Sequence, residues 1–92
     1  MTPSEILLAA ARHLREHGWR QGPKPEPPDN VLEAIRRAGR VEIDSTHLNA
    51  TYFAAERLRK LVGKLSITEW NDAPGRTVEE ALAVLEEAAK MQ

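Results

Sequence analysis

The sequence has no cysteine. Disulfide frameworks, thiolate nucleophiles, zinc fingers and iron–sulfur sites are thereby excluded, and nothing in the chain depends on an oxidising compartment. Long apolar runs are missing as well. The longest near the start, Ile6 to Ala11, is too short to cross a bilayer and lacks the basic flank of a signal peptide, so a cytoplasmic protein without membrane attachment is expected. Charge of one sign is also lacking: 13 basic and 14 acidic residues leave a net charge of −1. No overall field draws such a chain to nucleic acid or acidic lipid. The distribution is less even, because residues 1–64 carry 11 Lys/Arg against 8 Asp/Glu while residues 65–92 carry 2 against 6. The two parts therefore bear +3 and −4.

What is present is a regular apolar periodicity, with 41% hydrophobic residues in 92. That composition belongs to a folded chain, and the length fits a single domain over residues 1–92. A domain this short buries only about 60–65% of its unfolded surface, so its stability is small and homodimerisation stays open.

Local signals divide the chain into helices. Thr2-Pro3-Ser4-Glu5 combines an N-cap threonine, a proline at the first helical position and a glutamate placed to close a capping box. The first helix is predicted to run to His17, with Gly18 as a left-handed terminator and Trp19 packing back on Leu14 in a Schellman ending. Residues 21–28 form a Pro-rich, extended connector, since proline can neither continue a helix nor donate to a ladder. Asp29 or Asn30 caps a second helix whose inner side carries Val31, Leu32, Ala34, Ile35 and Ala38, and Gly39 ends it. Val41 to Asp44 alternates like a strand but has no pairing partner in the sequence and is read as an extended link.

The third and longest helix begins near Ser45 or Thr46 and ends at Gly63. At about 100° per residue, Leu48, Tyr52, Ala54, Ala55, Leu58, Leu61, Val62 and Leu65 spread over half its circumference, as on a central helix touching several others. Ser66 and Glu69 have capping-box spacing for a short helical turn carrying Trp70. Pro74-Gly75 fits the middle of a type II turn, and Thr77 with Glu80 caps a last helix lined by Val78, Ala81, Leu82, Leu85, Ala88 and Ala89. The fold class expected is all-α: a compact bundle of four helices plus one short helical turn, with the Pro-rich connector between the first and second.

Two separated motifs stand out, Gly18-Trp19-Arg20-Gln21-Gly22 and Trp70-Asn71-Asp72-Ala73-Pro74-Gly75-Arg76-Thr77. With them the sequence resembles a family of small actinobacterial and actinobacteriophage proteins, a domain of unknown function. The resemblance implies an origin, such as a phage genome, and transfers no functional residue.

Four parts of the chain carry candidate sites. His13-Leu14-Arg15-Glu16-His17 matches the H-x-x-E-H pattern of inverted zinc proteases. Both histidines border the apolar face, however, and the chain offers no credible third ligand or walled cleft, so no metal and no cofactor is expected. Residues 70–77 bring together an indole, an amide, a carboxylate, a guanidinium and a hydroxyl, a set that could line a small-ligand or hydrolytic site. A structural role explains the same residues more economically: Trp70 as a core anchor, Asp72 bonding turn amides or pairing with Arg76, Pro74-Gly75 as the turn, and Thr77 as a cap. With Trp19 these form a structural signature rather than a catalytic set.

The seven basic residues Arg36, Arg37, Arg40, Arg57, Arg59, Lys60 and Lys64 raise nucleic acid as a partner, but Glu33, Glu42 and Glu56 interrupt them and no recognition motif accompanies them. Phe53 is the most informative single position. It projects outside the main apolar arc, among Asn49, Arg57, Lys60 and Lys64. Coverage by a neighbouring element, such as the proline segment, is the commoner fate of a phenylalanine; an exposed aromatic in a basic rim describes a binding hot spot. Leu8 similarly lies opposite the apolar face of the first helix and extends such a surface if the two are close. The function expected is a non-catalytic protein-interaction module, a phage-encoded modulator or inhibitor of a host protein. Partner-binding candidates are Phe53, Arg57, Lys60, Lys64 and Leu8. The alternative is a nucleic-acid-associated regulator using the basic side of the second and third helices.

Overall fold

The computed structural model describes residues 2–22, 27–39 and 45–91, the side chains of 45–49 excepted. Among the described residues five helices follow one another: α1 (Pro3–His17), α2 (Val31–Gly39), α3 (Ser45–Val62), α4 (Ile67–Asn71) and α5 (Val78–Ala89). The all-α bundle is therefore as expected, with α4 as the short turn. The strand-like stretch 41–44 and residues 23–26 of the proline connector lie outside the described residues.

Three starts follow from local chemistry. In α1, α4 and α5 the hydroxyl of Thr2, Ser66 and Thr77 accepts from the N3 amide, while Glu5, Glu69 and Glu80 reach back to the cap amide. Each box satisfies two amides that a helix start otherwise leaves bare. At the start of α2 the same reciprocal pair is made by Asn30 and Glu33, at 2.8 and 3.0 Å, so Asn30 rather than Asp29 is the cap.

α1 packs against α2, α3 and α5, and its Ile6, Leu7, Ala10, Ala11 and Leu14 form the middle of the core. Val31, Ala34 and Ile35 come from α2, and Ala81, Leu85 and Ala88 from α5. α3 touches all four other helices, but its buried strip is narrower than the arc read from its sequence. Only Ala50, Ala54, Leu58 and Val62, spaced by four, are buried among its described side chains. A four-residue ridge of this kind seats its small alanines between neighbouring helices. The edges of the arc are left outside: Tyr52, Leu61 and Leu65 are exposed, not core residues.

The α2–α3 contact explains a glycine. Gly39 is the last residue of α2, is buried, and has an ordinary helical backbone, so it is not there for a left-handed turn. A Cβ at this position would overlap Thr51 Oγ1 and lie 3.0 Å from Thr51 Cβ. Only a residue without a side chain lets the two helices approach so closely.

The end of α1 also departs from expectation. Gly18 does have positive φ, +93°, but its ψ of 171° is extended rather than left-handed helical. The chain leaves α1 outward instead of folding back, and Trp19 is carried toward α4, where its indole N–H finds a partner.

Candidate functional site

The outer face of α3 carries the most exposed aromatics of the chain. Tyr52 is 60% and Phe53 54% accessible, so the neighbouring-cover alternative for Phe53 does not hold. Measured from the middle of the buried ridge, the two residues project about 120–140° to either side, away from the core. Their rings meet edge to face, 5.6 Å between centroids at 73°, a favourable quadrupole geometry. Lys60 is exposed further along the same helix, and Lys64 is exposed in the turn just after it. Arg59 is paired with Glu56. Arg57 is turned inward: its guanidinium donates to Ser4 Oγ at 2.7 Å, and that hydroxyl donates in turn to Ala89 O. It thus ties α3 to the start of α1 and the end of α5.

Leu8 is 47% exposed but faces a different groove, lined by Ala11, Arg12, Arg15, Glu86, Ala89 and Lys90 between α1 and α5. It is not shown beside Phe53.

One histidine of the α1 pair, His13, reaches the α2 cap region. His13 Nε2 lies 3.3 Å from Asp29 Oδ2, and the 13 and 17 rings are 4.7 Å apart. Arg37 grips the same buried carboxylate with Nε and Nη2 at 2.7 and 3.2 Å. This two-toothed bond holds the Asp29 carboxyl below its usual range, against the burial that pushes it up. Glu16 sits by His17, as H-x-x-E-H requires, but no group of three His, Asp or Glu side chains among the described residues is arranged to hold a metal ion.

Residues 70–77 meet the other motif directly. Asn71, at the end of α4, has no accessible surface. Its Oδ1 accepts from the Trp19 indole at 2.6 Å and from the Val31 amide at 3.1 Å. Its Nδ2 donates to Arg20 O at 3.1 Å and Asp72 Oδ1 at 2.9 Å. Two donors facing one end and two acceptors facing the other determine the orientation of the amide. Asp72 also accepts from the Gly22 amide at 3.0 Å, and Gln21 Nε2 donates to the carbonyls of Asn71 and Ala73. The two motifs thus form one clasp joining the end of α1, the start of the connector, the first amide of α2 and the end of α4.

The remaining signature residues close the turn. Arg76 N donates to Ala73 O at 3.1 Å across Pro74-Gly75, with Gly75 at φ +81° as a type II turn requires. Arg76 lies over the Trp70 ring, 3.9 Å from its centroid, and donates to Trp70 O and Glu80. Asp72 therefore bonds the connector rather than Arg76, and Trp70 lies at the rim of the core, not inside it. Among the described residues no buried side-chain polar atom is left without a partner. The buried polar atoms of the clasp are thus all paired within the protein.

Residues 1–91 match the profile of a family of unknown function, DUF6197. The chain belongs to that family. No curated protein and no solved structure matches it. The match runs through both halves of the clasp.

Proposed function

We propose that this DUF6197 member is a non-catalytic interaction module that presents the Tyr52–Phe53 pair of α3 to a protein partner. The observation carrying the reading is the exposure of two adjoining aromatics on one rigid helix. A single exposed apolar residue is ordinary on a protein surface. Two in edge-to-face contact, with Lys60 and Lys64 beyond them, offer desolvatable area with little rotamer entropy to lose and a basic rim to orient the encounter. The complementary surface is an apolar recess bordered by carboxylates. Resemblance to proteins of actinobacteria and their phages makes a cytoplasmic protein of a bacterial host the expected partner, and modulation or inhibition the expected effect.

The nucleic-acid alternative has less support, because Arg37, Arg57 and Arg59 are already engaged with Asp29, Ser4 and Glu56. Phosphate binding needs free cations whose counterions it releases.

A photo-crosslinking side chain placed at position 52 in host cells tests the proposal. One protein should be captured there and not from Glu79 on α5, and its capture should fall when Phe53 is replaced by alanine. Equal capture from both positions, or none, would overturn it.

A further inference from the structure

A second unpartnered surface lies about 12 Å further along α3, eight residues from Phe53 at 1.5 Å per residue. Here Leu61, 40% exposed, faces α5 across an open groove of about 390 Å³. Its other lining residues are Trp70 from α4 and Glu80, Ala83, Val84 and Glu87 from α5. The four α5 positions recur at the spacing of one outward helix stripe, apolar in the middle and carboxylate at both ends. Leu65, 39% exposed, lies in the turn after α3.

The charges decide what can lie there. Residues 65–92 carry a net −4. Glu87 is held only loosely, 3.9 Å from Lys90, and is the freer of the two carboxylates; Glu80 is bonded to Arg76 and to the Thr77 amide, with nearly half of its side chain still accessible. A second copy laid with its own α5 on this stripe would set Glu80 and Glu87 against carboxylates of the same stripe, a like-charge contact that disfavours self-association. A helix with apolar residues at i, i+3, i+4 and i+7 and Lys or Arg on its flanks meets every requirement: the apolar edge fills the space over Leu61, Trp70 and Val84, and the cations meet the two glutamates.

We infer that the α3–α5 groove is a docking site for a basic amphipathic helix of a partner protein, separate from the aromatic pair. Its residues are distinct from Tyr52 and Phe53, so either surface can fail in experiment without the other.

The test uses a synthetic peptide of about four helical turns, with leucines at those spacings and lysines on the flanks. A charge-inverted peptide with glutamates and a scrambled lysine peptide of equal charge serve as comparisons. Titration followed by amide NMR shifts should perturb Leu61, Trp70, Ala83 and Val84. The lysine peptide should bind about tenfold more tightly than either comparison, Glu87→Lys should weaken it about tenfold, and Ala83→Asp, at an exposed position of the stripe, should abolish it while circular dichroism stays unchanged. Four results would overturn the inference: no binding up to about 1 mM, scrambled peptide binding equally well, shifts centred on Leu8 or on Tyr52 and Phe53, or a dimer in sedimentation that Ala83→Asp dissolves.

Discussion

The indole N–H of Trp19 donates to Asn71 Oδ1 at 2.6 Å, joining residues fifty-two positions apart through a buried amide. The same oxygen takes the first amide of α2, and the amide nitrogen takes the carbonyl of Arg20. One side chain therefore serves three segments, the chain after α1, the start of α2 and the end of α4.

Asn71→Ala should be among the most damaging single changes. It strands the Trp19 indole, the Val31 amide and the Arg20 carbonyl together, and each buried unsatisfied group costs about 1–3 kcal/mol. A loss of about 3–5 kcal/mol in urea unfolding is expected, enough to unfold much of a domain this small. Asn71→Asp keeps the acceptor but turns a carboxylate toward Arg20 O and Asp72, so its deficit should grow as pH rises.

Gly39→Ala should destabilise the fold although alanine is the better helix former. The added methyl meets Thr51 across the α2–α3 contact, and overpacking costs about 1–3 kcal/mol against about 1 gained in propensity. Thr51→Ala in the same chain should restore part of the loss. Chemical denaturation of the two single variants and the double variant measures the coupling.

Asp29 gives the stability a dependence on acid. Its pKa is depressed from the ordinary 3.8, chiefly by the hydrogen bond from Arg37, so the folded state holds the carboxylate more firmly than the unfolded chain does. The contribution is complete above the unfolded value and is lost as pH falls through the depressed folded one. Thermal melts of Asp29→Asn should therefore lie below those of the native protein at pH 6, and the gap should narrow as both are taken below 3.8.

Thr77→Ala removes the N-cap of α5 and should cost about 1 kcal/mol by thermal melting, without altering partner binding by the folded fraction. Lost binding at unchanged stability would make the 70–77 turn a site.

The parts of the fold legible in the sequence are those decided within a few residues. Thr2, Ser66 and Thr77 announce their capping boxes because both partners lie three positions apart, and Pro74-Gly75 announces its turn because it needs only its own backbone angles. The ending of α1 shows the limit: Gly18 signals a stop, but the direction taken beyond it depends on where Trp19 finds Asn71. Asn71 stood in the motif without any mark to separate a buried hub from a turn former, since its partners come from α1 and α2. On α3, periodicity drew an arc too wide. Which edge stays in water is decided by the Ala50–Ala54–Leu58–Val62 ridge seating against its neighbours, and hydrophobicity alone placed Tyr52 on the wrong side.

Affinity for the partner captured at position 52, compared between the native protein and Phe53→Ala at matched thermal stability, is the most direct test of the role given to α3. With its ring 54% exposed, Phe53 should be replaceable with a stability change within about 0.5 kcal/mol, while binding weakens by about 2 kcal/mol, roughly thirtyfold. Unchanged affinity would contradict the interaction surface, and so would a stability loss of about 3–5 kcal/mol, the mark of a phenylalanine that belongs to the core.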